Sequence, residues 1–247
     1  MLNFIYAELW RYFHRPAGKA LLILAAGLPV LLSLYIFIGL HWVQMGDIFT
    51  QTVGVVAVLM PFAGIFFLVG IVDVSFADEL RRATLKNNLA AGVSRPVIYG
   101  GKILSGLLLS ILHLILALAA FFLSSAALLS LDILEIFDSV GLLLLEVLPL
   151  WLGALGLLYL LYFNFRSGLQ AVAAVTFGSL FLFPILSAVN VPAAEIISQL
   201  NLAEWLAKMM TQPMSKALVL ECWAVGCCYF AVCAAGGWLF FRRREIR

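Results

Sequence analysis

"FADELRRATLKNNLAAGVSRPVIYGGK", Phe76–Lys102, is the most hydrophilic stretch of a 247-residue chain, and long apolar runs lie on both sides of it. The remainder decides how it is read. The chain is 64% hydrophobic and 11% charged, with a mean hydropathy of +1.10, far outside the composition of soluble domains. The stretch is therefore a polar connection between two membrane crossings, and the surrounding chain belongs in a bilayer.

A transmembrane helix needs roughly 20 mostly apolar residues to cross about 30 Å of hydrocarbon. Six runs meet that length, at about 18–40, 52–76, 101–129, 141–164, 168–190 and 217–241. No repeat, low-complexity tract or soluble domain separates them. The predicted fold is one all-α integral membrane domain over residues 1–247, with six transmembrane helices. The first run is too long for the core of a signal peptide and follows an aromatic preamble, so it is read as retained.

Charge sets the orientation. Arg11, Arg15 and Lys19 precede the first run; Arg81, Arg82, Lys86, Arg95 and Lys102 lie between the second and third; Arg166 follows the fourth; Arg242, Arg243, Arg244 and Arg247 follow the sixth. That places 13 of 15 basic residues on one side, against Lys208 and Lys216 on the other. The positive-inside rule then makes both termini cytoplasmic. The opposite side carries Asp47, Asp132, Glu135, Asp138, Glu195 and Glu204, an acidity that follows from the lack of Lys and Arg there or attracts a cationic ligand.

Residues 1–16 predict an interfacial elbow helix. Leu2, Ile5, Leu9, Trp10 and Phe13 share one face, and Asn3, Glu8, Arg11 and Arg15 share the other, with Phe4 the exception. Between the fifth and sixth spans, residues 191–214 are too polar to cross and too periodic for a loop. Pro192 and the Asn201 to Glu204 capping pattern predict two short external helices there. Pro29, Pro61, Pro149 and Pro184 fall inside spans, where they permit kinks and a cavity. Cys222, Cys227, Cys228 and Cys233 all lie in the sixth span. Cys222 and Cys233 share a face but stand about 16 Å apart along it, too far for one metal or disulfide, so the group reads as small packing residues.

Within the opening stretch, residues 77–95 form a cytoplasmic segment. Ala77 to Ala91 is predicted helical, acidic at its start and basic later; Gly92 stops it, and Ser94, Arg95 and Pro96 start the third span. A solvated, inside-positive loop has a similar composition. The pattern is more specific: Glu79, Arg82, Thr84, Leu85, Lys86, Gly92, Ser94, Arg95, Tyr99 and Lys102 resemble the loop after the second span of ABC-2 type permeases. The elbow helix, six spans, cytoplasmic termini and external helices match that family's layout as well. Among its members, the chain looks most like the bacterial lantibiotic-immunity and bacitracin-resistance permeases.

The resemblance implies a multi-pass protein of the bacterial cytoplasmic membrane. Its loop would be a coupling helix docked on a separate ABC ATPase subunit, with a second permease chain, identical or related, completing the transporter. The cargo implied is an antimicrobial peptide or another amphiphile. The chain lacks a G-x-x-x-x-G-K-[ST] loop: its Gly-Lys pairs at Gly18 and Gly101 are followed by Ala20 and Ile103. The chain is therefore not expected to be an enzyme by itself, and ATP and Mg are expected on the partner subunit. Nucleic acid is not expected among its partners.

Ionisable groups within membrane spans are functional candidates. Here they are His113 near the middle of the third span, Asp73 near the cytoplasmic end of the second, and Glu146 and Glu221 near the outer ends of the fourth and sixth. His113 either bonds across helices or lines a pathway. An intramembrane metalloenzyme is disfavoured because His14, His41 and His113 lie at different depths. A permease for another cargo, such as a lipid, a drug or a cofactor-maturation substrate, and a non-transporting scaffold remain alternatives.

Overall fold

The computed structural model describes residues 1–41, 64–65, 67–76, 79, 85–129, 133–164, 170, 185, 201–211 and 215–243. Every regular element among them is α-helical: α1 (Leu2–His14), α2 (Pro16–His41), α3 (Phe67–Phe76), α4 (Leu85–Ala90), α5 (Arg95–Leu129), α6 (Ile133–Asn164), α7 (Leu202–Thr211) and α8 (Lys216–Arg243). Stretches of α2, α5, α6 and α8 are long and apolar enough to cross a membrane. The chain is an all-helical membrane protein with four such helices among the described residues. The expected second span is described at α3, and the expected fifth lies outside the described residues apart from Gln170 and Ile185. Of the two short helices expected over residues 191–214, the second is present as α7 and the first lies outside the described residues.

Local chemistry sets the breaks. Arg15 stands in extended backbone between α1 and α2 (φ −80°, ψ 137°), as the steric demand of Pro16 requires of the residue before it. After α4, Gly92 adopts φ +83°, its N–H donates to the Leu89 carbonyl at 3.0 Å, and the Val93 N–H donates to the Asn88 carbonyl at 3.0 Å. These two bonds form a Schellman stop, and the positive φ is why glycine occupies position 92. Pro96, in the first turn of α5, sacrifices no helical hydrogen bond.

α6 begins at Ile133, earlier than the apolar pattern alone suggests, and takes Glu135 and Asp138 out of the expected loop. Acidic residues suit the first turns of a helix, where the macrodipole is positive.

The helices associate mainly as two pairs, α2 with α5 and α6 with α8. In the second pair, Gly226 meets the backbone of Pro149 so closely that a Cβ there would overlap the Pro149 carbonyl. Small residues of this kind let membrane helices approach closely. Cys222 and Cys233 lie buried on the same face of α8 as Gly226 and Gly237, while Cys227 and Cys228 are exposed. Cys222 and Cys233 thus serve as small packing residues.

Pro149 also frees the carbonyl four residues before it. That carbonyl, of Leu145, accepts a hydrogen bond from the Trp223 indole of α8 at 3.0 Å. Trp223→Phe leaves it without this donor, and a loss of about 1–2 kcal/mol is expected. Thermal unfolding of the purified protein in lipid nanodiscs measures it; an unchanged midpoint would show that the freed carbonyl needs no cross-helix donor.

The largest buried cluster joins α3, α5, α6 and α8 near the Arg95 and Arg242 end of the bundle. It is rich in aromatics: Phe76, Tyr99, Tyr159, Tyr162, Phe163 and Phe241. A second cluster at the opposite end seats Trp205, Leu206 and Met209 of α7 against α6 and α8.

Candidate functional site

Arg95, Tyr99 and Lys102 recur every three or four residues on α5, so they share one face at the basic end of the bundle. Arg95 and Tyr99 reach α8, and Lys102 reaches α1 and the end of α3. The Arg95 guanidinium donates to the carbonyls of Phe241 (3.3 Å) and Arg242 (2.6 Å) in the last turn of α8, where a cation also complements the helix dipole. The Tyr99 hydroxyl donates to the Ala234 carbonyl at 2.6 Å, one turn or more deeper in α8. Lys102, with 0% of its surface exposed, turns the other way, towards α1 and α3.

The Lys102 ammonium has three donors and three oxygens around it. They are Glu8 Oε2 at 3.1 Å, the Ser75 carbonyl at 3.1 Å and Glu79 Oε2 at 2.9 Å. The ring of Phe76 lies beneath it, 4.7 Å from the nitrogen. Arg11 completes the group by pairing with both Glu8 and Glu79. Two carboxylates and two cations thus cancel inside the protein. Arg11 leads outward, with about a third of its side chain exposed, whereas Glu79 is only 2% exposed. Burial opposes ionisation of Glu79, but Lys102 and Arg11 outweigh it and hold its carboxyl below the ordinary glutamate value of 4.5.

The arrangement explains the polarity of α1. Met1, Phe4, Glu8, Arg11, Tyr12 and Arg15 fall on one stripe at helical spacing, and that stripe faces the protein. Phe4 packs on Gly101, Arg15 donates to the Val74 carbonyl, and Glu8 and Tyr12 are buried. Leu2, Tyr6, Trp10 and Phe13 face outward. Of the predicted apolar face, Leu2, Trp10 and Phe13 face outward while Leu9 packs against Tyr12, Ile71 and Leu109. Of the predicted polar face, Glu8, Arg11 and Arg15 turn inward while Asn3 is exposed. The reason is Lys102 and Glu79, whose buried charges need partners that only an inward Glu8 and Arg11 supply.

Deeper along α5, His113 is buried and bonded at both nitrogens. Nδ1 lies 2.7 Å from the Leu109 carbonyl, which can only accept, so that nitrogen carries the proton. Nε2, 3.1 Å from the Tyr12 hydroxyl, is then the acceptor. Burial pushes the Tyr12 phenol well above its ordinary value, consistent with a donor that keeps its proton. His113 is thus an interhelical bond between α1 and α5. Asp73 accepts from the Tyr162 hydroxyl at 2.9 Å, and the Tyr159 hydroxyl donates to the Lys102 carbonyl at 2.9 Å, tying α6 to α3 and α5.

The residues singled out in the polar stretch therefore divide in two. Glu79, Tyr99 and Lys102 are buried and Arg95 half-buried, and their polar groups are engaged within the chain. Lys86, Gly92 and Ser94 are exposed around the end of α4. Arg82, Thr84 and the side chains of Leu85 and Glu146 lie outside the described residues, and Glu221 is exposed on α8 far from this group. Glu8 and Arg11 were absent from the motif reading. Their signal was the displaced Phe4, whose place on the polar stripe marked that stripe as a packing face.

No protein-family model matches this sequence, and no curated protein is similar to it.

Proposed function

We propose that this chain is the membrane-spanning subunit of an ATP-driven exporter of the ABC-2 type, working in the bacterial cytoplasmic membrane with both termini in the cytoplasm. The observation that carries the reading is the division of the Phe76–Lys102 motif. Its buried members tie this segment to α1, α3, α6 and α8, while Lys86 to Ser94 present a short helix and a fixed turn on the surface. A projection braced on so many helices suits the transfer of force: a partner pushing on α4 would move the helix ends together rather than bend a loop.

In this reading the exposed surface near Lys86 docks on a separate ATPase subunit, which supplies ATP and Mg chemistry. A second permease chain occupies the other ATPase. The cargo is an antimicrobial peptide or another amphiphile taken from the membrane, giving immunity or resistance. Glu79, Arg95, Tyr99 and Lys102 act as positioning residues behind the docking surface.

The test is gentle extraction from the native membrane, identification of copurifying proteins and an ATP-hydrolysis assay. A stoichiometric ATPase with a phosphate-binding loop is expected. Lys86→Glu should weaken its retention roughly tenfold, the effect of about 1.4 kcal/mol at an interface, without changing the permease's own unfolding midpoint. Wild-type protein that carries no ATPase through an extraction known to preserve membrane complexes would overturn the proposal.

A further inference from the structure

A cavity of about 410 Å³ lies between the two helix pairs, within the ~300–1,000 Å³ range of small-molecule pockets. It sits at the middle of α5 and α6, and both helix-interior prolines of the described spans, Pro29 and Pro149, line it. Among the described residues its walls are apolar apart from Ser110 and His113. His113 offers a polar guest neither of its nitrogens, and Ser110 offers only an acceptor oxygen. The Ser110 hydroxyl donates to the Gly106 carbonyl at 2.7 Å, and both His113 nitrogens are bonded as described above. A buried water needs two to four polar partners, and this space does not provide them.

The cavity is open rather than sealed. Three of its lining residues keep substantial exposure: Leu28 of α2 (47%), Ile111 of α5 (52%) and Trp223 of α8 (40%). Other outward residues of these helices, such as Ile23 and Val232, are apolar and exposed, as lipid-facing side chains are. An occupant arriving through that opening comes from hydrocarbon. At mid-helix depth, what the bilayer offers is the terminal part of an acyl chain rather than a headgroup.

We infer that this cavity is a binding site for the end of one acyl chain of a membrane phospholipid, inserted sideways between the α2–α5 and α6–α8 pairs. The inference does not depend on the exporter reading. The apolar walls supply the affinity, and the bond to Tyr12 keeps His113, the one ionisable side chain among the described lining residues, from drawing in water.

The protein reconstituted in nanodiscs with a phosphatidylethanolamine bearing a diazirine near the end of one acyl chain tests this directly. After illumination and digestion, adducts are expected at cavity residues Leu114 and Ala117 as well as at the outward-facing Ile23 and Val232. Ala117→Phe fills the space and should abolish the Leu114 adduct while leaving those at Ile23 and Val232. Leu155→Phe, from the opposite wall, serves as the second filling variant should Ala117→Phe shift the unfolding midpoint. Wild-type adducts confined to outward-facing residues, or a Leu114 adduct that survives filling, would overturn the inference.

Discussion

Lys102→Met is expected to be the most damaging single substitution in the basic end of the bundle, lowering stability by ~3–5 kcal/mol as buried charges lose their partner. The side chain is fully buried, and methionine occupies a similar shape, so the loss comes from charge and hydrogen bonding rather than volume. Two carboxylates, Glu8 and Glu79, would then share Arg11 alone, and the Ser75 carbonyl would lose its donor. Adding Glu79→Gln to Lys102→Met restores neutrality and leaves the Glu8 to Arg11 pair intact. The double variant is therefore expected to be more stable than Lys102→Met alone, by a coupling of ~1–3 kcal/mol. Thermal unfolding in nanodiscs of wild type, Lys102→Met, Glu79→Gln and the double variant completes the cycle, and simple additivity would show that the four charges are not one unit.

The same cluster fixes a pH response. Glu79 has a folded-state value below its ordinary 4.5, so its contribution to stability is complete above 4.5 and is lost as pH falls through the folded value. Wild-type protein should keep a constant midpoint from neutrality down to about that pH and lose stability below it. In Lys102→Met one of the two cations that hold the Glu79 carboxyl down is gone, so its folded value rises and the loss on acidification is smaller.

Gly226→Ala is the second large effect. The new Cβ would overlap the Pro149 carbonyl, and both contacting groups are backbone, so neither can swing aside. α6 and α8 must separate along their whole interface, at a cost of about 3 kcal/mol, the upper part of the range for overpacking. Gly27→Ala in α2 is the matched control. A Cβ there meets nothing within 4 Å, and removing a helix-interior glycine is expected to be neutral or to stabilise by up to about 1 kcal/mol. Opposite signs for the same chemical change would locate the effect in the α6 to α8 contact.

Features set by nearby residues were legible in the sequence. The stop at Gly92 needs only a residue that tolerates positive φ, and the start of α5 needs only Ser94 and Pro96 beside it. Long apolar runs announced α2, α5 and α8 for the same reason. The apolar run read as the fourth span lies within α6, whose helix extends back to Ile133 through Glu135 and Asp138. Glu79 and Lys102 stood out as chemistry-bearing residues, but their inward direction was not legible, since their partners lie about 70 to 95 positions away in α1. The faces of α1 were separable by periodicity alone. Which of them meets the protein depends on whether the neighbouring helices present charge or oil, and that is a tertiary fact.

The sealing of Lys102, Glu8 and Glu79 bears on how the molecule responds to ionic strength. Mobile ions screen charges that meet solvent, over about 8 Å at physiological salt, but they do not enter a site from which water is excluded. Salt added to the medium therefore weakens any association made through exposed Lys86 and leaves the ties among α1, α3 and α5 as they were. A salt wash would therefore release anything held through Lys86 without loosening the end of the bundle itself.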